Sequence, residues 1–276
     1  MPALVPSDDP QIMGIVNVTP DSFSDGGEFS SHAAAIDQGR KLAADGANVV
    51  DVGGESTRPG AGSVSAEEEI ARVQPVIEAL VKDGIKVSVD TSKPEVMEAA
   101  VAAGACMIND IYALRRPGAL ATVARMDVPV CLMHMQGTPA TMQNAPRYED
   151  IGREIREFLQ SRINACCLAG VDRERIVIDP GFGFGKTRQH NHTLITQLGW
   201  FTEIGVPVLI GISRKKFVRS LSQVASRQTL DEVSALLALM AVEQGARFVR
   251  VHNVGVTRKL LGQAYGLVPA QQSPVN

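Results

Sequence analysis

At 276 residues, with 45% hydrophobic and 21% charged side chains, the chain is long enough to bury a full core and is ordinary for a globular protein. A formal net charge of −3 removes any global electrostatic reason to expect nucleic acid as a partner, so an anionic ligand has to be held by a few local cations. No run of about 18 apolar residues offers a membrane span, residues 1–10 lack a basic-then-apolar signal pattern, and Cys106, Cys131, Cys166 and Cys167 form no CxxC pair. The expectation is a cytoplasmic protein with reduced thiols and no nucleic-acid or membrane partner.

In chain order, short apolar runs alternate with amphipathic or Ala-rich segments of helical length. The runs lie at 12–16, 48–52, 86–89, 106–108, 128–133, 175–178, 206–211 and 247–251. Alternation of this kind predicts a parallel sheet with helices packed outside it. Eight such units with no spare strand predict an α/β fold closed as a (β/α)8 TIM barrel rather than an open sheet. Helix starts are read at Ser65 with Glu68 and at Thr229 with Glu232, both with capping-box spacing. Pro94 and Pro117 suit first turns, and Gly46, Gly84, Gly104, Gly170, Gly205 and Gly245 suit helix ends. No linker divides the chain, which predicts one barrel domain over 11–269 between tails at 1–10 and 270–276.

Polar residues close almost every apolar run: Asn17, Asp51, Asp90, Asn109, His134, Asp179, Ser213 and His252. A single Asp or Asn after a strand is most often a turn former or a helix cap. Eight of them converge at the C-terminal mouth of a barrel, where active sites are built. Alternation along the last strand places Arg250 and His252 on one face, a pairing suited to an anion such as phosphate. The glycine-rich run Gly181-Phe182-Gly183-Phe184-Gly185-Lys186-Thr187 is not a Walker loop, because Pro180 stands where that pattern needs glycine. It suits close backbone approach to a flat ligand, with Phe184 supplying a face. Two polar, glycine-rich loops, at 18–27 and 53–62, read as lids over the mouth, with Phe23 and Arg58 as the residues costly to leave exposed or unpaired.

These residues together resemble the dihydropteroate synthase family. The resemblance rests on Met13-Gly14-Ile15-Val16-Asn17-Val18-Thr19-Pro20-Asp21-Ser22-Phe23-Ser24-Asp25-Gly26-Gly27 and on Asp51-Val52-Gly53-Gly54-Glu55-Ser56-Thr57-Arg58-Pro59-Gly60. Ser88-Val89-Asp90-Thr91-Ser92-Lys93-Pro94, Ile108-Asn109-Asp110, Leu132-Met133-His134, Asp179-Pro180-Gly181 and Ser213-Arg214-Lys215 continue it over about residues 11–265. It implies condensation of 6-hydroxymethyl-7,8-dihydropterin diphosphate with 4-aminobenzoate, releasing pyrophosphate. By the match, Asp90, Asn109, Asp179, Lys215, Met133, Phe184 and Gly183 hold the pterin. Asn17, Thr57, Arg58, Arg250 and His252 hold the diphosphate, with Asn17 also on a Mg²⁺ ion. Phe23, Thr57, Pro59, Phe184, Lys215 and Lys216 frame the aminobenzoate, where sulfonamides would compete. A homodimer is implied as well.

The sequence departs from the family pattern at Lys216, where a small hydroxyl residue is usual, at Asn253, where Asp is common, and around Leu230-Asp231-Glu232, where a glycine is missing. A corrinoid-dependent methyltetrahydrofolate methyltransferase would share the Asp/Asn edge but needs neither diphosphate cations nor the 53–62 loop. A non-catalytic pterin-binding module leaves Asn17, Arg58, Arg250 and His252 without a purpose. A Schiff-base lyase using Lys215 is rejected on the expectation that this lysine, lying past its strand, lacks the burial that lowers a lysine pKa.

Overall fold

The computed structural model describes residues 9–19, 27–56, 62–222 and 226–266, with backbone only at 27–31, 221 and 222. Eight strands form where aliphatic runs are buried on both faces, as parallel strands covered by helices require. They are β1 Gln11–Asn17, β2 Val49–Gly53, β3 Val87–Asp90, β4 Met107–Asp110, β5 Val130–Met133, β6 Ile176–Asp179, β7 Leu209–Ile210 and β8 Phe248–Val251. The hydrogen-bonded order is β6-β5-β4-β3-β2-β1-β8-β7, parallel throughout. The ring closes between β6 and the residues leading into β7: Ile178 bridges Val208, and the Ile178 amide donates to the Pro207 carbonyl at 2.8–3.0 Å spacing typical of a ladder, here 3.0 Å. The predicted seventh strand at 206–211 is therefore shorter than its apolar run, two ladder residues plus this bridge.

Outside the strands lie α1 Gly27–Ala44, α2 Ala66–Lys82, α3 Pro94–Ala102, α4 Ala119–Ala124, α5 Ile151–Leu168, α6 Arg188–Thr196, α7 Gly199–Thr202, α8 Lys216–Ser222, α9 Arg227–Glu243 and α10 Val254–Tyr265. Ser65 caps α2 as expected, accepting from the Glu68 amide at 3.2 Å, and Pro94 opens α3. The start of α9 differs from expectation. Ser226 caps it, accepting from the Thr229 amide at 3.1 Å, so the helix begins three residues before the predicted box at Thr229. Pro117 sits in the turn before α4, whose cap is Gly118. The six glycines read as helix ends all carry positive φ, from 77° to 104°. The predicted C-terminal limit at 269 and both tails, apart from residues 9 and 10, lie outside the described residues. Among the described residues no helix is long and apolar enough to cross a membrane.

The barrel interior is layered by the two-residue period of its strands. Met13, Val49, Met107, Cys131, Val177, Leu209 and Phe248 form a separate apolar cluster that plugs the barrel. Two residues further along the same strands stand Ile15, Asp51, Asn109, Met133, Asp179, Gly211 and Arg250, joined from β3 by Asp90. One layer of hydrocarbon thus supports one layer of mostly polar groups directly above it.

The loop after β6 enters this layer through Gly181, at φ 73°, where a Cβ would lie 1.8 Å from the His134 carbonyl oxygen. Gly181→Ala is expected to cost on the order of 3 kcal/mol or more, since neither the backbone conformation nor the space admits a side chain. Urea unfolding measures it; a loss below about 1 kcal/mol contradicts the account of this loop.

Candidate active site

The C-terminal mouth opens into a cavity of about 1530 Å³. Its wall brings together Asn17, Asp90, Asn109, Met133, Asp179, Gly183, Phe184, Ser213, Lys215, Lys216, Arg250 and His252 from the sequence reading. Phe23, Thr57, Arg58 and Pro59 lie outside the described residues. Of the eight polar strand ends, Asp51 and His134 do not line the cavity, and both hold residues that do.

Arg250 occupies the centre. Its Nε donates to Asp51 Oδ2 at 2.6 Å and its NH2 group to Asp90 Oδ2 at 2.8 Å. Asp51, fully buried on β2, also accepts from Asn109 Nδ2 at 3.2 Å, and its second oxygen has no hydrogen-bond partner. Burial pushes the Asp90 carboxyl up, while Arg250 pulls it down and the neighbouring Asp51, Glu69 and Asp110 charges push it further up. The sequence reading gives Arg250 to an anion alone. In the structure it also neutralises two carboxylates, one of them on the flat-ligand side. The sequence reading counts Asp51 among the polar strand ends of the mouth but gives it no ligand, and the structure shows its role to be holding Arg250 and Asn109.

Asp179 ends β6 and accepts from the Gly181 amide through Oδ1 at 2.7 Å. Burial raises its pKa, against the lowering charge of Lys215. Met133 is buried with Ile111, Met135 and Met142, and Phe184 packs on this group, so a thioether and an aromatic ring form an apolar wall beside the carboxylates. Asp110, next to Asn109, is a turn former: it accepts from the Tyr112 and Leu114 amides at 2.8 and 2.7 Å.

Lys215 reaches back over the Phe184 ring, 4.5 Å from its centroid, and donates to the Phe182 carbonyl. Burial lowers its pKa to about 8, with Asp179 acting in the opposite direction. The expectation that this lysine lacks a pKa-lowering setting is therefore wrong; the chain turns it back against the glycine loop, which its position past the strand did not reveal. Its ammonium is nonetheless held by a carbonyl and an aromatic face, an arrangement of a hydrogen-bond donor more than of a free nucleophile. Lys216, first residue of α8, is exposed at the cavity rim.

His252 is held by Ser213, whose Oγ lies 3.0 Å from Nδ1 and accepts from the His252 amide at 3.2 Å. Burial, with Arg214 and Arg250 adding to it, lowers its pKa to about 3, so the ring is neutral at physiological pH. Lys186 is a scaffold group. Its Nζ lies 3.0 Å from His134 Nδ1 and donates to the Phe184 carbonyl at 3.0 Å, pinning the glycine loop to the end of β5.

For a divalent cation, Asn17 offers a neutral oxygen at the end of β1, half-buried at the cavity wall and with no side-chain hydrogen bond among the described residues. Among those residues no cluster of three or more His, Cys, Asp or Glu side chains could hold a metal. This donor set fits Mg²⁺, which keeps most of its waters and takes few protein ligands beside substrate phosphates; a site built for tight all-protein coordination would look different.

A barrel whose mouth sets two carboxylates and an amide beside an apolar wall defines a binder of flat, donor-rich heterocycles. The family described as pterin binding enzyme matches residues 13–252, and the chain belongs to it. Within that class the similarity runs to dihydropteroate synthases. The chain is 47% identical over 249 residues to dihydropteroate synthase of Escherichia coli (strain K12), covering 90% of this chain and 88% of that one. It is also similar to the solved structure of Xanthomonas albilineans dihydropteroate synthase with 4-aminobenzoic acid, at 51% identity, 95% coverage of each chain and a TM-score of 0.88. The same enzyme in complex with 7,8-dihydropteroate matches at 48% identity and a TM-score of 0.85, again over 95% of each chain.

The Lys215 shift fixes a sign. The burial penalty on its ammonium is full below pH 8 and is relieved as pH rises from about 8 towards the ordinary lysine value of 10.5, because the unfolded chain then binds more protons than the folded one. Relative to Lys215→Met, the wild-type protein is expected to gain stability across that window, by up to about 1.4 kcal/mol per pH unit for one proton. Urea unfolding of both proteins from pH 7.5 to 10.5 measures it; parallel curves contradict the assignment.

Proposed function

We propose that the cavity carries out dihydropteroate synthesis with the following division of labour among its residues. The observation that carries this reading is the single layer holding Asp90, Asn109 and Asp179 beside Met133 and Phe184. A pterin's aminopyrimidine edge presents N–H donors in a row, which a buried carboxylate accepts in pairs. Asp179 takes that edge, Asp90 and Asn109 complete it, and Lys215 donates to the carbonyl side. Gly183 leaves room for the ring, and Met133 and Phe184 wall it. The raised pKa of Asp179 is in keeping with a carboxylate poised for donors that bring no charge of their own.

Arg250 and His252 meet the diphosphate from β8 and its C-terminal end, with Asn17 beside them at the end of the neighbouring β1. The charge balance of the layer says what else is needed. Arg250 is already shared by two carboxylates and His252 is neutral, so a diphosphate requires further positive charge from outside this layer. Asn17 would hold a Mg²⁺ ion, which when bound would supply charge neutralisation for the leaving group, and by the resemblance Thr57 and Arg58 would add to the diphosphate contacts. The C–O bond to the pterin methylene breaks, pyrophosphate leaves with the electron pair, and the aniline nitrogen of 4-aminobenzoate bonds to the resulting cationic carbon and releases a proton to solvent. No strong base is needed for that order of events, so this chain's contribution is positioning and charge stabilisation. Phe23, Thr57, Pro59, Phe184, Lys215 and Lys216 frame the aminobenzoate, with the exposed ammonium of Lys216 facing its carboxylate.

The protein acts as a homodimer in the cytoplasm. Leu236 and Met240, 52% and 41% exposed and one turn apart on α9, provide an apolar face for self-association, and four unpaired cysteines suit a reducing compartment.

Pyrophosphate release tests the reading. It is expected only with dihydropterin diphosphate, Mg²⁺ and 4-aminobenzoate together, in step with dihydropteroate formation, and Asp179→Ala is expected to weaken pterin binding by about 2 kcal/mol or more by leaving the pterin edge unpaired. Pterin binding without turnover, or an Asp179→Ala protein with unchanged pterin affinity in calorimetry, counts against it.

A further inference from the structure

Ser213, Arg214 and Lys215 lie in the turn between β7 and α8, and the two outer residues serve the site: Ser213 holds His252 and Lys215 overlies Phe184. Arg214, between them, has φ 58°, a left-handed conformation that a residue with a Cβ adopts only when its surroundings over-determine it. Those surroundings are supplied by α9. The Arg214 amide donates to Ser234 Oγ at 3.1 Å, and its guanidinium grips Asp231 through both oxygens, Nε to Oδ1 at 2.6 Å and NH2 to Oδ2 at 2.7 Å.

Asp231 is tied in turn to the next corner of the barrel. Asn253 donates to its Oδ2 at 2.9 Å while capping α10 through the Val256 amide at 3.2 Å. Burial raises the Asp231 carboxyl, but hydrogen bonds from Arg214 and Asn253 outweigh it and hold the group below its usual value. The Asp231 side chain is 6% exposed and that of Arg214 18%. This is a two-point, mostly buried fork of fixed geometry, unlike a solvated surface pair. The left-handed turn reverses the chain after β7, and that reversal sends the lysine of position 215 back against the glycine loop to the Phe182 carbonyl.

We infer that Asp231 is a positioning residue for the reaction: by holding Arg214 in its left-handed conformation from α9, it places the Lys215 ammonium where the pterin carbonyl will lie. The inference rests on the reading that Lys215 meets the pterin. Asp231 touches no substrate in it. A lysine side chain free of this constraint has several rotatable bonds to settle on binding, and the clamp removes that freedom beforehand.

A double-mutant cycle separates positioning from plain stabilisation. Pterin affinity by calorimetry and melting temperature are measured for wild type, Asp231→Asn, Lys215→Met and the double variant. Asp231→Asn is expected to weaken pterin binding roughly ten-fold when Lys215 is present and by less than about two-fold when it is absent, while lowering the melting temperature equally in both backgrounds. Equal affinity losses in the two backgrounds overturn the inference alone. Lys215→Met binding pterin as well as wild type overturns the reading of the site, and the inference with it. Should Asp231→Asn not fold, Ser234→Ala removes the acceptor of the Arg214 amide instead, and the same pattern is expected from it.

Discussion

The arrangement that the rest of the mouth depends on is one guanidinium shared by two carboxylates inside the barrel. Arg250 on β8 crosses above β1 to reach Asp51 on β2 and Asp90 on β3. Three charges at that depth are tolerable only as a set, since removing one partner leaves another buried and uncompensated. The set fixes more than itself. Asp51 orients Asn109 through its amide nitrogen, which leaves the amide oxygen as the acceptor for a ligand's donors. The flat-ligand edge and the anion corner are thus two ends of one network.

A second network, around Lys215 and Arg214, brings the opposite wall to the same place. The glycine loop after β6 is fixed by Lys186 and by Lys215, which donate to the Phe184 and Phe182 carbonyls respectively. Lys186 is buried and Lys215 half-buried, and the loss of solvent pushes both below the ordinary lysine pKa. The cost of holding them there is consistent with a site pre-organised before its ligand arrives, where little rearrangement is left for the binding step.

Much of this was legible in the sequence, and the limits have physical causes. Eight apolar runs marked the strands because parallel strands are buried on both faces; the fifth and eighth were trimmed at their starts, and the seventh was shortened most, since closure there uses a single bridge at Val208. The polar strand ends marked the mouth, and the long motifs marked the family. What the runs did not reveal was pairing between distant strands: Arg250 read as a free cation because its two carboxylates lie 199 and 160 residues away. Lys215 read as exposed because a left-handed arginine, invisible in composition, reverses the chain just before it. Asn253, a departure from the family pattern, proves to cap α10 and to donate to Asp231, itself in the stretch that departs from the pattern at the start of α9.

The central claim is that Arg250 serves both ends of the site, and calorimetry on Arg250→Ala tests it most directly. Binding is measured for two probes separately, a pterin without phosphate and inorganic pyrophosphate with Mg²⁺. The account predicts that both affinities fall, because the unpaired Asp90 and Asp51 carboxylates no longer present the pterin edge once their shared cation is gone. Loss of pyrophosphate binding with pterin affinity unchanged contradicts it, and returns Arg250 to the role of an anion-binding cation alone.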